Sequence, residues 1–317
     1  MVWVKRLLAL AAAAGMIVGA IVVRSEVIEG DDDGPGTTTA TTLVCIAELR
    51  AVCDAVAAEH GGLRVRVEQA AATSRAWGRA ADRPDEAWLT VAPLPELVDA
   101  ERSRQRLTAL ALTVDTIGAT QLVVAVPNAK AAALAGACGE PLDWRCIGDA
   151  AGTPWTELAG PAAGSVRPAF GSLDSAVGQL GVAQAVLGFF GAAPVDPGDP
   201  GLITWGRRLS RAVAASALSG GTPIGTVQVR DSALDVAVGF DAEIAKARRD
   251  RLTVLYAAPM TRVDLVLATP AGVSVSGDVR ATLTSTAREL GGAATVPGEP
   301  LAGEHVAQAT HIWDDLT

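Results

Sequence analysis

The sequence predicts an α/β fold of open, largely parallel sheets covered by helices, on three observations. Segments of strand pattern alternate with segments of helical period from residue 41 to residue 290. Residues 121–126 (QLVVAV) form a continuous apolar run closed by Pro127, the pattern of a strand buried on both faces in a mostly parallel sheet. The chain of 317 residues, 50% hydrophobic and 19% charged, is long enough for two lobes with cores of their own.

The amino terminus stands apart from this body. Lys5 and Arg6 precede an uncharged run, residues 7–23, which at about 1.5 Å per residue covers most of a hydrocarbon layer of roughly 30 Å. Glu26, Glu29, Asp31, Asp32 and Asp33 follow it, with Arg24 as the one diluting charge, so the basic flank is expected inside and the rest outside. Residues 1–25 therefore read as a transmembrane anchor, preferred to a cleaved signal because no good small-x-small site lies near residues 23–25. The expected localisation is a single-pass cell-membrane protein with its body extracytoplasmic. Residues 26–40, rich in Gly, Asp, Pro and Thr, read as a flexible linker.

Within the body, residues 41–45 read as a strand and Ile46, Leu49, Cys53 and Val56 as one helical face, stopped by His60, Gly61 and Gly62. Residues 63–68 (LRVRVE) alternate like a half-buried strand, after which Thr73 and Ser74 are placed to cap a helix through Trp77. Residues 87–91 (AWLTV) form a third strand, followed by Pro93, Pro95 and an Arg-rich helix. Beyond the 121–126 strand come a helix at 129–134, a strand at 165–170, an apolar helix at 173–190 and a helix at 202–218. Strands at 226–229 and 235–238, a helix at 241–248, strands at 252–256 and 263–267 and a helix at 278–290 complete the series.

The four cysteines form two pairs of equal spacing, Cys45 with Cys53 and Cys138 with Cys146. In an exported chain this favours two local disulfides, and the spacing is wider than zinc-ligand pairs use. Connectivity stays open. The second bridge closes over the turn-like GEPLDW, whereas a fully helical 47–53 would carry Cys45 and Cys53 beyond the roughly 7 Å that a disulfide spans. A net charge of −9 argues against nucleic acid as a partner.

The order of elements resembles the type 2 periplasmic, or extracellular, substrate-binding protein family. The stretches that carry this are LVCIAELRAVCDAVAAEHGGLRVRVEQ with DEAWLTVAP, TQLVVAVPNAKAAAL, FGSLDSAVGQLGVAQAVLGFF and RLTVLYAAPMTRVDLVLATP. None is a fixed-residue motif; the likeness lies in order and spacing over residues 41–295. It implies a two-lobed fold of two open mixed sheets flanked by helices, with lobe 1 from residues 41–120 plus 266–317 and lobe 2 from 121–265. It implies a small-molecule ligand in the interlobe cleft, a hinge of two crossing strands, and a transporter permease or other envelope protein as partner. Each expected disulfide would then lie inside one lobe.

The leading candidate for ligand binding is the amino end of the apolar 173–190 segment. Helix amino ends offer free N–H donors to a carboxylate or oxyanion, and Ser172 and Ser175 add hydroxyls beside Asp174. Ser172 reads equally as an N-cap, and Asp174 as a first-turn acid. Thr73, Ser74, Trp88 and Thr90 take corresponding positions in lobe 1, with capping for the first two and core packing for Trp88 as competing roles. Asp241, after the 235–238 strand, is placed to meet a ligand amine or to cap a helix. The first loop, residues 45–48, departs from the family's oxyanion-binding members in having no Ser or Thr, and 4% aromatic content weakens a sugar-binding reading.

An enzyme is not expected. No G-x-S-x-G, G-x-x-x-x-G-K-[ST] or H-E-x-x-H motif occurs, and no cofactor or metal is implied. Asp231, Asp235 and Asp241 read as solvated surface carboxylates. The expected function is a membrane-tethered solute-binding protein serving a transporter or sensor; the alternative is a ligand-free two-lobed module for protein–protein interaction or signalling at the envelope.

Overall fold

The computed structural model describes residues 38–160, 164–215, 222–229, 234–245 and 250–317. The expected anchor and most of the expected linker lie outside them. The expectation of a single-pass membrane protein is corrected: among the described residues no helix is long and apolar enough to cross a membrane, and the run that prompted the expectation is not among them.

Strand β1 (Thr42–Ile46) leads through a 3-10 turn (Ala47–Leu49) into helix α1 (Arg50–Glu59), followed by β2 (Arg64–Glu68), α2 (Ala70–Arg79), β3 (Ala87–Val91) and α3 (Leu94–Arg104). The long strand β4 (Thr113–Pro127) passes to α4 (Asn128–Cys138), α5 (Trp144–Ala150), the short β5 (Pro168–Ala169), α6 (Ala176–Phe190), α7 (Pro200–Ala215) and α8 (Pro223–Val229). Next come β6 (Val236–Phe240), α9 (Asp241–Ala245), β7 (Leu252–Leu255) and β8 (Thr261–Thr269), then α10 (Gly277–Glu289), β9 (Glu299–Pro300) and α11 (Gly303–Leu316).

The strands join into one mixed sheet of order β2-β1-β3-β8-β4-β6-β5, with β9 paired to β8 and β7 to β4. β1 runs parallel to β2 and β3, and β5 parallel to β6. Between these parallel groups lie the antiparallel β8 and β4, whose register shifts between Thr116 and Gly118. This corrects the mostly parallel expectation for residues 121–126. Their burial is as read, but every neighbour of β4 is antiparallel, because helices cover both faces of a mixed sheet as well as of a parallel one.

Three local expectations also change. Residues 226–229 are helical: Pro223 opens the helix with its φ already set, and Thr222 Oγ1 accepts the Gly225 N–H at 3.1 Å. α2 begins at Ala70, so Thr73 and Ser74 lie inside it and cap nothing. The segment after residue 290 carries α11, whose Val306, Ala309, Ile312 and Trp313 are buried against α6, α7 and α3.

Both disulfides are present as paired by spacing, with Cα atoms 6.6 Å apart for Cys45–Cys53 and 5.3 Å for Cys138–Cys146. The first is feasible because Cys45 is still in β1 and the chain turns before α1, which folds the two cysteines back on each other. Asp235, read as a surface acid, is fully buried. It accepts from Lys130 Nζ, and from Arg167 Nε and Trp155 Nε1 at 3.2 Å each, the pairing that a buried carboxylate requires.

Candidate functional site

Where the carboxyl ends of β1, β2 and β5 meet, a cavity of about 640 Å³ opens, inside the usual range of about 300–1,000 Å³ for small-molecule sites. Ala47 and Glu48 line it from the turn after β1 and Arg50 from the start of α1, Gln69 from the turn after β2, Phe170 to Leu173 and Ser175 from the loop between β5 and α6, and Thr222 and Trp313 from further along the chain. Carboxyl ends of strands collect such residues because the chain leaves the sheet there with loop backbone free to turn inward.

The amino end of α6 forms one wall, but its donors are engaged. Ser175 is the N-cap: its Oγ accepts the Gly178 N–H at 3.0 Å and donates to Ser172 O at 2.7 Å. The Val177 N–H is taken at 3.1 Å by Glu48 Oε1, reaching across from the turn after β1. An acid in this position suits the positive end of the helix dipole, and it stands where a bound anion would.

Beside Glu48 lies a second chamber of about 240 Å³, lined by Glu48 and Glu243 and walled by Leu49, Val52, Leu265 and Leu290 among others. Glu243 Oε1 accepts the Phe240 N–H at 3.1 Å, and the Thr222 hydroxyl also bonds this carboxyl. Burial, and after it the charge of Glu48, push Glu243 up to about 7 against the lowering effect of those two hydrogen bonds. Burial likewise pushes Glu48 up, opposed by backbone N–H groups, Val177 first. Glu48 Oε2 is covered and has no hydrogen-bond partner among the described residues.

The sequence-predicted residues divide among several places. Ser172 and Ser175 line the larger cavity. Asp174 lies at its outer side, paired with Arg75 at 3.1 Å, and with Ser74 lines a neighbouring groove. Thr73 is buried in α2 and donates to Glu68 Oε2 at 2.9 Å. Trp88 and Thr90 are fully buried in β3, Trp88 edge-on to Trp77 with ring centroids 5.6 Å apart. Asp241 opens α9 and lines neither chamber. The residues that sequence reasoning missed are Glu48, Glu243 and Thr222. The signal for the first two was an acid within three residues of the end of an apolar strand; their convergence across 195 positions had no local mark.

Neither a protein-family model nor a curated protein sequence matches the chain. Solved structures do. A periplasmic thiamin binding protein aligns with a TM-score of 0.52 at 11% identity, covering 90% of this chain and 98% of its own. A Listeria monocytogenes protein assigned to spermidine/putrescine ABC transport aligns at 0.54 and 11% identity, covering 88% and 99%. A Corynebacterium glutamicum OxyR C206 mutant aligns at 0.48 and 10% identity over 90% of this chain and 74% of its own. With the element order and the two parallel groups joined by β4 and β8, the first two likenesses establish that the chain has the two-lobed fold of type 2 periplasmic binding proteins.

Proposed function

We propose that this protein binds a small solute in the 640 Å³ cavity and passes it, or the news of its binding, to a transporter or sensor partner. The observation that carries the reading is the position of that cavity, at the carboxyl ends of β1, β2 and β5 and against the amino end of α6. Residues 41–120 with 266–302 act as one lobe and residues 121–265, on which α11 packs, as the other. β4 and β8, the strands shared by both, serve as the hinge. Ser172 and Ser175 contribute to the wall that the ligand meets. The solutes named for the two similar structures, thiamin and spermidine or putrescine, belong to the first panel to be tried.

A thermal-shift screen of the full chain against organic cations, amino acids, oxyanions and sugars tests this. A ligand at 100 times its Kd adds about 2.7 kcal/mol, several degrees in a body of this size. A hit supports the solute-binding reading, and folded protein that responds to no class removes it. One observation favours a second reading, a ligand-free interaction module: Glu48 already satisfies Val177 N–H from within the chain. Its support would be a specific protein partner bound by a chain that no solute stabilises.

A further inference from the structure

Among the described residues, the helix-end wall of the cavity has no backbone donor left for an anion. Its helix-end donors are spent: Val177 N–H on Glu48 Oε1 and Gly178 N–H on Ser175 Oγ, whose own hydrogen goes to Ser172 O. An anion arriving there would have to displace a carboxylate of the protein. On the other side of that carboxylate, two acids from distant parts of the chain face one small chamber.

Their hydrogen bonds are all to neutral groups: the backbone N–H of Val177, and those of Glu48 itself and Ala176, for Glu48, and Phe240 N–H and the Thr222 hydroxyl for Glu243. Among the described residues neither makes an ion pair. Arg50, which also lines the larger cavity, is exposed. Covered carboxylates without a cationic partner are costly, and here the cost is concentrated on an identifiable atom, Glu48 Oε2, covered and unpartnered. The displacement of both carboxyls above the ordinary range agrees with this geometry.

We infer that the ligand is an organic cation, a primary ammonium on a short aliphatic body, with its nitrogen between the Glu48 and Glu243 carboxyls and its carbon chain along Leu49, Val52, Leu265 and Leu290. The inference rests on the solute-binding reading above, moves the ligand into the smaller chamber that shares Glu48 with the 640 Å³ cavity, and specifies its class. An ammonium supplies three donors to two carboxyls that no other cation neutralises, and the apolar walls accept its methylenes at about 0.8 kcal/mol for each CH₂ buried. A metal ion fits less well. Calcium takes six to eight oxygen ligands, roughly, and magnesium an octahedral set, whereas among the described residues no group of three or more His, Cys, Asp or Glu side chains is placed to hold one.

The test is isothermal titration of the full chain, in physiological salt, with n-butylammonium and butane-1,4-diammonium, and with butyrate and 1-butanol as matched anionic and neutral probes. The ammonium probes are expected to bind and the other two not. Glu48→Gln and Glu243→Gln should each weaken ammonium binding at least about tenfold, the equivalent of about 1.4 kcal/mol. Both amides keep an oxygen for Val177 N–H or Phe240 N–H, so the fold is retained, and circular dichroism checks it. Asp149→Asn, a change at an exposed acid paired with Arg208, should leave binding unaltered and so separates a local site from the overall charge of −9.

Ammonium binding that both Gln variants leave intact overturns the inference. So does failure of both ammonium probes at millimolar concentration. If in that case another class of the thermal screen binds, the solute-binding reading survives without this ligand class. If no class binds, both fall together.

Discussion

Replacing Glu243 by Gln should make the protein more stable at pH 8 and leave it nearly unchanged at pH 4.5. Unfolded, this carboxyl titrates near its ordinary 4.5; folded, burial and the Glu48 charge hold it up to about 7. Between those values the folded state binds more protons than the unfolded one. Stability from this group is therefore fully present below the lower value, falls as pH rises, and is lost once pH passes the upper one. At about 1.4 kcal/mol per pH unit the rise corresponds to about 3 kcal/mol. Gln is neutral throughout and keeps an oxygen for Phe240 N–H, so it avoids the cost of a buried charge. Urea denaturation at intervals from pH 4.5 to 8 should show the advantage of the variant growing from near zero to about 3 kcal/mol, a midpoint shift of about 1 M. The charged group facing Glu243 is Glu48, whose own upward displacement comes from burial and has the same sign. A difference that does not change with pH, or a variant less stable than the parent at pH 8, would refute the reasoning.

Other perturbations test the frame that holds the site. Asp235→Asn should cost about 3–5 kcal/mol by chemical denaturation, since it leaves Lys130 and Arg167 without their buried counter-charge. Gly148→Ala places a Cβ 1.9 Å from Trp205 Nε1; Trp205 is buried and bonded to Trp144 O, so a loss of about 3 kcal/mol or failure to fold is expected. Cys138→Ala with Cys146→Ala opens a bridge of sequence separation 8, worth about 2.5 kcal/mol by chain entropy, and should lower the urea midpoint without altering ligand affinity.

How far the site could be read in the sequence depended on whether a feature was local. The cavity-wall position of Ser172 and Ser175 follows from a Gly-Ser turn before an apolar run, a signal contained in five residues, although the cap expected at Ser172 falls at Ser175. Glu48 stands in a first loop without Ser or Thr, which by composition alone lacks the family's oxyanion donors. A carboxylate from 129 positions upstream, bonded to Val177, announces itself only once β1 and β5 are brought to face each other. Asp235 failed in the opposite direction. Its neighbours in sequence suggest a surface turn, and the two cations that neutralise it come from α4 and from the stretch before β5. The 226–229 stretch was misread because β-branched residues resemble a strand, although Thr222 and Pro223 before it are a helix start.

By itself the sequence determined most of the alternation of strands and helices and the burial of the 121–126 run, and it favoured local pairing of the cysteines. These depend on hydrophobic period, turn chemistry and short loop closure, all carried by neighbours along the chain. Only the tertiary structure decided that β4 and β8 run antiparallel to their neighbours, that the final segment becomes α11 against α6, and that Glu48 and Glu243 share one chamber. Sheet order and long-range charge pairing are set by the packing of distant surfaces, and the free energy that selects them is not written in any local stretch.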